Sequence, residues 1–418
     1  MTTGSVPRTS LIITSRHRPD ALARCLLAVA QLDHSDFELI VVTDPAGLAQ
    51  AQGLAVKRVA FDVANISAAR NAGLAVAAGQ VVAFLDDDAV PEPSWLSHLT
   101  RPFAAPEVAA AGGAVRGPDG IGYQWRAGLT DAWAEITPLP LAGLAPSLPT
   151  APPGRAVATM GTNCAFRRDL LAGLGGFDPA YRYFLDETDV NWRLAAAGHT
   201  TAIVPMAQVH HRLAASALRR ADRVPCSLHD IGASTAVFWR RHAGGPAAAA
   251  LARLRTRERA RLVRHMLAAR LEPRDVARLM RTLEDGLAEG ALRPLAKLAP
   301  IGPPTLPFLR FPAGPRPGRV LAGRPWQAQR LRARAAAALA AGEIVTLFLF
   351  SPDARPHQMC FTDAGIWEQT GGLWGRAGPG GPRLHPGSFA ARLAPKRSGW
   401  PGCAPCKGPR PGPAKIQP

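Results

Sequence analysis

The stretch Val81-Val82-Ala83-Phe84-Leu85-Asp86-Asp87-Asp88 decides the fold of this chain. Its first five residues are mainly β-branched or aromatic, which predicts a strand buried on both faces. Three carboxylates follow at once, and a hard divalent cation would relieve their mutual repulsion. Ligands of open α/β sheets bind just beyond the carboxyl ends of strands. The stretch therefore predicts a sheet whose edge carries a metal–phosphate site, with a solvated acidic turn as the plain alternative.

Strands and helices alternate at short intervals around this stretch. Runs rich in β-branched residues predict further strands at 11–14, 37–43, 56–61, 108–115 and 201–205. Helical spacing predicts helices at 19–29, 68–78 and 186–197, and residues 117–154 read as a long loop with helical material near 129–136. Short connections in a β-α-β order favour parallel strands joined by right-handed crossovers. The predicted fold class is α/β, with a single, mostly parallel, twisted, Rossmann-like sheet flanked by helices.

Charge divides the chain into two unlike halves. The first 212 residues carry 16 Lys and Arg against 19 Asp and Glu, whereas residues 213–418 carry 33 against 12. Ala- and Arg-rich segments with helical spacing predict helices at 213–221, 228–242, 246–269 and 273–289. We therefore predict an α/β domain at 1–212, a basic helical region at 213–298, a Pro-rich linker at 299–319, a small α+β segment at 320–376 and a disordered tail at 377–418.

The basic half leaves several partners open. Its charge can attract nucleic acid, an anionic membrane or anionic glycans, although solvated faces of Arg-rich helices account for it equally well. Aromatic residues make up only 6% of the chain and form no RNA-binding motif, which makes nucleic acid the weaker partner. The sequence has no apolar run of about 18 residues and no signal-peptide pattern. We expect a cytoplasmic protein, with peripheral contact at the inner face of the membrane as a hypothesis.

Polar residues suited to a nucleotide follow the first two predicted strands. Thr14, Ser15 and Arg16 come directly after the first strand, where hydroxyls and backbone amides can hold a nucleotide. Asp44 ends the second strand, and its carboxylate can accept a hydrogen bond from the N–H of a base. A capping role for Asp44 before Pro45 is equally consistent with the sequence.

A third group begins the helix that precedes the decisive strand. Asn65 or Ser67 can cap this helix, whose N-terminus favours anions. Arg70 and Asn71 fall within its first two turns and can reach a ribose or a diphosphate. A surface helix with an ordinary cap is the alternative.

The last group is a helix that begins with carboxylates. Asp186, Glu187 and Asp189 lie in its first turn, a position that favours acidic residues for structural reasons alone. The partly apolar neighbours at 183–185 would raise the pKa of Glu187 towards that of a useful base. A histidine pair ends a later strand, and its neutral imidazole can ligate the same cation as the acidic triplet, for which we assign His210.

Taken in order, these motifs resemble glycosyltransferase family 2, the inverting A-type nucleotide-sugar transferases. The resemblance covers about residues 9–212, half of the chain, in the family's order. It implies that this domain binds a nucleotide-diphosphate sugar in its first half, with Mn²⁺ or Mg²⁺ on Asp86 and Asp88. The implied donor-binding residues are Thr14, Ser15, Arg16, Asp44, Asn65, Arg70, Asn71 and Asp87.

The resemblance also implies an acceptor site and a base. The family's base is the second residue of a Glu-Asp pair, and the reversed pair here assigns the base to Glu187, leaving Asp186 and Asp189 as alternatives. The acceptor, a glycan or a lipid-linked sugar, is expected near Gly161, Thr162, Asn163, Trp192 and Arg193. The implied activity is metal-dependent, inverting transfer of a hexose-type sugar in cell-surface polysaccharide or glycolipid synthesis.

Three alternatives remain open. A sugar-phosphate nucleotidyltransferase would usually carry a glycine-rich phosphate loop after the first strand, and this chain has none there. A nucleic-acid-binding protein would use the basic half, and the reversed acidic pair is also compatible with a catalytically inactive subunit.

Overall fold

The computed structural model describes residues 7–212, 215–378, 380–382, 384 and 386–397. The chain begins with four parallel strands, which pair in the order β3-β2-β1-β4. Every residue of β1 and β2 is buried, as expected of strands covered by helices on both faces. These elements are β1 (Thr9–Thr14), α1 (Pro19–Val29), β2 (Phe37–Thr43), α2 (Pro45–Gln50), β3 (Lys57–Ala60), α3 (Ile66–Val76) and β4 (Val81–Asp86).

The sheet continues beyond β4 with one antiparallel insertion. Within the described residues the order is β3-β2-β1-β4-β11-β6-β12-β5, with β7 paired to β6. Only β11 and β5 run against the common direction along this path, which confirms the predicted fold class. The elements are β5 (Ala89–Pro91), α4 (Trp95–Thr100), β6 (Val108–Arg116), β7 (Tyr123–Trp125), β8 (Gly128–Asp131), β9 (Ile136–Pro138), β10 (Arg155–Ala158), β11 (Cys164–Arg167), α5 (Arg168–Gly173), α6 (Asp186–Ala196) and β12 (Thr200–His211).

Two predicted helical segments adopt other structures. Near 129–136 the chain forms β8 and β9, and β8 pairs with both β9 and β10 in a three-stranded sheet, so cross-strand pairing outweighs local helical spacing. The described part of the predicted helix at 213–221 consists of turns and isolated bridges. The remaining predicted helices of the basic region form as α7 (His229–His242), α8 (Ala248–Leu267) and α9 (Pro273–Leu292).

The Pro-rich segment at 299–313 lies against the α/β domain. Phe311 is 3% exposed, its ring centroid lies 5.4 Å from that of Phe37, and its N–H donates to the Phe37 carbonyl. The buried Glu38 carboxylate accepts from the Leu309 N–H at 2.9 Å and pairs with Lys57 at 2.7 Å. A segment predicted to be a linker thus completes the core and the buried polar network of the first domain.

Phe311→Ala should therefore destabilise the whole α/β domain. Removing a buried phenylalanine costs about 3 kcal/mol of unfolding free energy or more, from lost apolar burial and the cavity left behind. Leu309→Ala is the matched control, because Leu309 is 41% exposed and should change stability little. Urea denaturation followed by tryptophan fluorescence measures both variants, and equal midpoints would show that the segment is a linker after all.

The C-terminal segment forms a second small sheet in the order β13-β14-β16-β15, whose first three strands are parallel. It contacts the first domain closely, since the Met359 N–H donates to the Asp119 carbonyl and Gln31 donates to the Gly365 carbonyl. Residues 389–397 of the predicted disordered tail are helical, and 398–418 lie outside the described residues. The elements are β13 (Gly318–Gly323), α10 (Ala328–Ala340), β14 (Ile344–Ser351), β15 (Gln358–Phe361), β16 (Trp367–Gly372) and α11 (Phe389–Arg397).

Candidate active site

The acidic triplet lies where β4 ends. Parallel pairing sets Asp86 beside Thr14 at the carboxyl ends of β4 and β1, the edge at which α/β sheets bind ligands. The side chain of Asp86 is 28% exposed, whereas those of Asp87 and Asp88 are buried. Asp87 accepts from the Ser15 hydroxyl at 2.6 Å and contacts the guanidinium of Arg18. The Asp87 carboxylate therefore holds the loop after β1 in place.

Positive groups surround the triplet. Arg18 lies 3.2 Å and Arg219 lies 3.5 Å from Oδ2 of Asp88, and Arg70 lies 3.2 Å from Oδ1 of Asp86. Burial raises the pKa of Asp87 to about 7, against the opposing charge of Arg18. Sequence reasoning assigned no role to Arg18 or Arg219, and Arg219 gives no sequence signal because it is far along the chain from Asp88.

The residues present fit a divalent cation. Asp86, Asp88 and His211 each offer one ligand atom, and these atoms all lie within 4.8 Å of one another. Two carboxylates form a hard oxygen donor set of the kind that Mg²⁺ and Mn²⁺ prefer, and three protein ligands leave coordination positions for phosphate oxygens. These three residues are the candidate metal cluster.

The histidine of this cluster is His211, which corrects the assignment to His210. Nε2 of His211 lies 3.0 Å from Oδ1 of Asp88. His210 points to the opposite face of β12, where it contacts Glu92 at 3.0 Å and packs on the ring of Trp367. Successive residues of a strand face opposite sides, so only one member of the pair can reach the site.

Replacing His211 should weaken metal binding. His211→Ala removes one of three ligands, and we expect the affinity for Mn²⁺ to fall by about tenfold or more. His210→Gln is the control, because that side chain contacts Glu92 and not the cluster. Electron paramagnetic resonance of free Mn²⁺ measures both variants, and equal affinity of the His211 variant and the unaltered protein would remove His211 from the ligand set.

Most residues predicted to bind the donor have structural partners. Asp44 caps α2 by accepting from Ala46 and Gly47, and it also accepts from the His17 N–H at 2.6 Å. Burial opposes ionisation of Asp44, but these backbone donors lower its pKa. Thr14 is buried at the sheet edge. Exposed Arg16 pairs with Asp62 at 2.7 Å, so it lies beside the site without facing the triplet.

The polar residues of α3 divide into two groups. Asn65 caps the helix through the Ala68 N–H, and Asn71 exchanges hydrogen bonds with the backbone of Phe177. Both therefore serve the fold. Arg70 instead faces the site, where its guanidinium contacts Asp86, Asp186 and the Gly161 carbonyl. Arg70 thus links the metal cluster to the acidic start of α6.

Glu187 lies on the other side of this arginine. A Cβ on Gly161 would lie within 2.9 Å of the Arg70 guanidinium and 3.2 Å from Oε2 of Glu187, so only glycine leaves room between them. Burial and the charge of Asp186 raise the pKa of Glu187 to about 8, partly offset by Arg70. A carboxyl with such a pKa is a competent base near neutral pH.

The other two acidic candidates are held in ion pairs. Asp186 is buried against Arg70. Asp189 is 1% exposed and contacts both His242 and Arg193, which lower its pKa against the effect of burial. Within the described residues Glu187 forms no ion pair of this kind, and its side chain is partly exposed. The arrangement therefore favours Glu187 as the group that can take a proton.

The predicted acceptor residues occupy different environments. Gly161 lines the site, and the hydroxyl of Thr162 is buried beside it. Asn163 is fully buried. Its amide oxygen accepts from the Trp95 indole N–H, and its amide nitrogen donates to the carbonyls of Ala114 and Ala207, which connects β6 and β12 to α4. Trp192 packs on Phe238 and His242, and Arg193 binds Asp189 and two backbone carbonyls. Asn163, Trp192 and Arg193 thus stabilise the elements that form the site.

The sequence of this domain matches a known family. Residues 10–175 match the profile of glycosyl transferase family 2. This part of the chain is therefore similar to family 2 glycosyltransferase domains. The O-antigen biosynthesis protein RfbC of Myxococcus xanthus is 27% identical to it over 236 residues, which is 52% of this chain and 18% of that protein. The chain therefore spans less than a fifth of this relative.

Two solved structures are similar to the chain. One is GalNAc-T7 with UDP, GalNAc and Mn²⁺, at 17% identity and a TM-score of 0.41, covering 50% of this chain and 44% of that one. The other is the mannosyltransferase PcManGT from Pyrobaculum calidifontis with GDP-Man and Mn²⁺, at 16% identity and a TM-score of 0.40, covering 68% and 87%.

Proposed function

We propose that this domain transfers a sugar from a nucleotide-diphosphate sugar to an acceptor hydroxyl, with inversion at the anomeric carbon. One observation carries the proposal: the candidate metal cluster and Glu187 lie on either side of Arg70. One side of the site can hold a cation and a diphosphate, and the other offers a carboxyl base. The role of the similar RfbC supports an acceptor in cell-surface polysaccharide or glycolipid synthesis.

The chemistry follows from these positions. Asp86, Asp88 and His211 would hold Mn²⁺ or Mg²⁺, which when bound neutralises charge on the leaving diphosphate. Glu187 accepts the proton of the acceptor hydroxyl, whose oxygen forms the new bond to the anomeric carbon. The bond from that carbon to the diphosphate breaks, and the nucleoside diphosphate leaves with both electrons. Arg70 keeps Asp86 and Asp186 in position throughout.

A panel of nucleotide sugars tests this proposal. The full chain should show a thermal shift with at least one UDP-, GDP- or dTDP-sugar in the presence of Mn²⁺, because binding to the native state raises stability. The shift should disappear with EDTA. Release of free sugar from the stabilising donor, measured without an acceptor, then shows that the site is active. No shift with any donor would overturn the proposal.

The arginine-rich helices support a further part of the proposal, a peripheral contact with an anionic membrane that bears lipid-linked acceptors. Leu267 is 79% exposed at the end of α8, close in sequence to exposed Arg264 and Arg270. Apolar and basic groups together favour anionic lipid surfaces. No helix in the described part of the chain is long and apolar enough to cross a membrane. Co-sedimentation with phosphatidylglycerol vesicles tests the contact, with Arg264→Glu as the variant expected to weaken it.

A further inference from the structure

Two aromatic residues beside the catalytic carboxyl are turned towards solvent. Tyr183 is 40% and Phe184 is 38% exposed, although Tyr181 and Leu185 on either side are buried. Within the described residues, neither ring packs on another aromatic ring or joins a hydrophobic cluster. Exposed aromatic pairs next to buried neighbours are candidates for ligand contact, because their apolar faces gain from being covered.

The backbone holds these rings outward at a cost. Phe184 has a φ of 72° and Leu185 a φ of 66°, both in the left-handed region that non-glycine residues rarely adopt. The Ser234 hydroxyl of α7 donates to the Tyr183 carbonyl at 2.6 Å, and Leu185 is inserted into the helical core. The basic helical region therefore fixes the conformation in which Tyr183 and Phe184 face away from the core.

Tyr183 and Phe184 lie next to the candidate active site. Tyr183 and Phe184 come directly before Asp186 and Glu187, at the start of α6. The Tyr183 phenol lies close enough to Arg219, Arg261, Asp86 and Asp88 to feel their charges. Arg219 itself lies 3.5 Å from Oδ2 of Asp88, so Tyr183 belongs to the same charged neighbourhood as the candidate metal cluster.

We propose that Tyr183 and Phe184 form an aromatic platform on which a pyranose ring of the acceptor stacks. The inference rests on the proposed function, because Glu187 must reach the acceptor hydroxyl and the ring bearing it must therefore lie close to the start of α6. The apolar face of a pyranose complements the face of an aromatic ring, while its hydroxyls remain free to hydrogen-bond. Nucleotide and diphosphate bind at the opposite side, near Asp86 and Ser15.

Saturation-transfer NMR tests the platform with defined probes. Methyl glycosides of glucose, galactose, mannose and N-acetylglucosamine are each added to the full chain with Mn²⁺, first alone and then together with any donor identified by thermal shift. We expect saturation of ring protons in at least one glycoside. In the Tyr183→Ala/Phe184→Ala double variant the affinity should fall by about tenfold or more, because both rings that the sugar would cover are removed. Tyr183→Phe should retain binding.

Two controls separate a binding role from a structural one. Trp326→Ala removes an aromatic residue that is 72% exposed and far along the chain from α6, and it should leave glycoside binding unchanged. Phe184→Gly should weaken glycoside binding while keeping or raising the melting temperature, because glycine adopts the left-handed backbone without strain. A loss of binding together with a loss of stability would indicate a structural role and overturn the platform.

The outcomes also distinguish this inference from the proposed function. If nucleotide sugars still stabilise the protein but no glycoside receives saturation, or the double variant binds as well as the unaltered chain, the platform is wrong and the transferase proposal stands. If glycosides bind through Tyr183 and Phe184 while no nucleotide sugar does, the donor assignment fails and the platform stands.

Discussion

Glu187→Gln should lower the rate of sugar transfer by about a thousandfold, because amide nitrogen cannot take the proton of the acceptor hydroxyl. The same change should raise the melting temperature. Glu187 has an ordinary pKa of 4.5, and in the native state its pKa is about 8, so folding favours the neutral form. At neutral pH, ionisation of Glu187 lowers the free energy of unfolding. The neutral amide of Gln avoids this loss.

The pH dependence follows from the same shift. The proposed transfer uses the deprotonated Glu187 carboxyl, so kcat/KM should rise with pH up to about 8 and then level off. The loss of unfolding free energy caused by Glu187 is absent below pH 4.5 and grows as pH rises towards 8. The increase in melting temperature from Glu187→Gln should therefore be absent in acid and largest above pH 8. Thermal denaturation at both ends of this range measures it.

Asp189→Asn provides the contrasting variant. Its partners His242 and Arg193 lower the pKa of Asp189, so the ionised form stabilises the native state and the amide should lower the melting temperature. Glu107→Gln, on an exposed turn, should change neither the rate of sugar transfer nor the melting temperature. Full activity of Glu187→Gln would move the base elsewhere in the helix, and Asp186→Asn would then be the variant to examine.

Asp86→Asn should reduce transfer by about a hundredfold or more, since a cation bound to the diphosphate supplies several kcal/mol of charge stabilisation. The substitution keeps the shape of the side chain, which is 28% exposed, so the fold should persist. The thermal shift produced by Mn²⁺ and nucleotide sugar together should be lost. This readout reports on binding and does not depend on turnover.

Asp169→Asn is the matched control for this change, because its side chain is 94% exposed and remote from the cluster. It should retain both the thermal shift and the activity. If Asp86→Asn bound metal and donor as well as the unaltered protein, the cluster of Asp86, Asp88 and His211 would not be the cation site.

The sequence was sufficient to predict the sheet edge and the order of the elements that supply it. Buried strands such as β2 contain continuous apolar runs, here residues 39–42, and Asn65 caps α3 as its residue type suggests. The choice between His210 and His211 could not be made in this way. The register of β12 on β6 shifts between Val204 and Gln208, so counting alternate residues along the strand does not give the face.

Long-range contacts account for the other differences. Arg219 reaches Asp88 from a segment predicted to be helical, and Trp367 packs on His210 from the far end of the chain. No local pattern encodes either contact. The sequence shows Tyr183 and Phe184 only as apolar neighbours of Glu187, because their backbone conformation follows from the packing of Leu185 and Ser234 and not from residue type.

The return of the Pro-rich segment to the first domain has a consequence for biosynthesis. The Leu309 N–H and the Glu38 carboxylate are 271 positions apart, so the ribosome must add all the residues between them before this contact can form. Until then the Glu38 carboxylate and the surface around Phe37 are not covered by the Pro-rich segment. Such late closure predicts slow folding and a nascent chain prone to aggregation, which chaperones would be needed to protect.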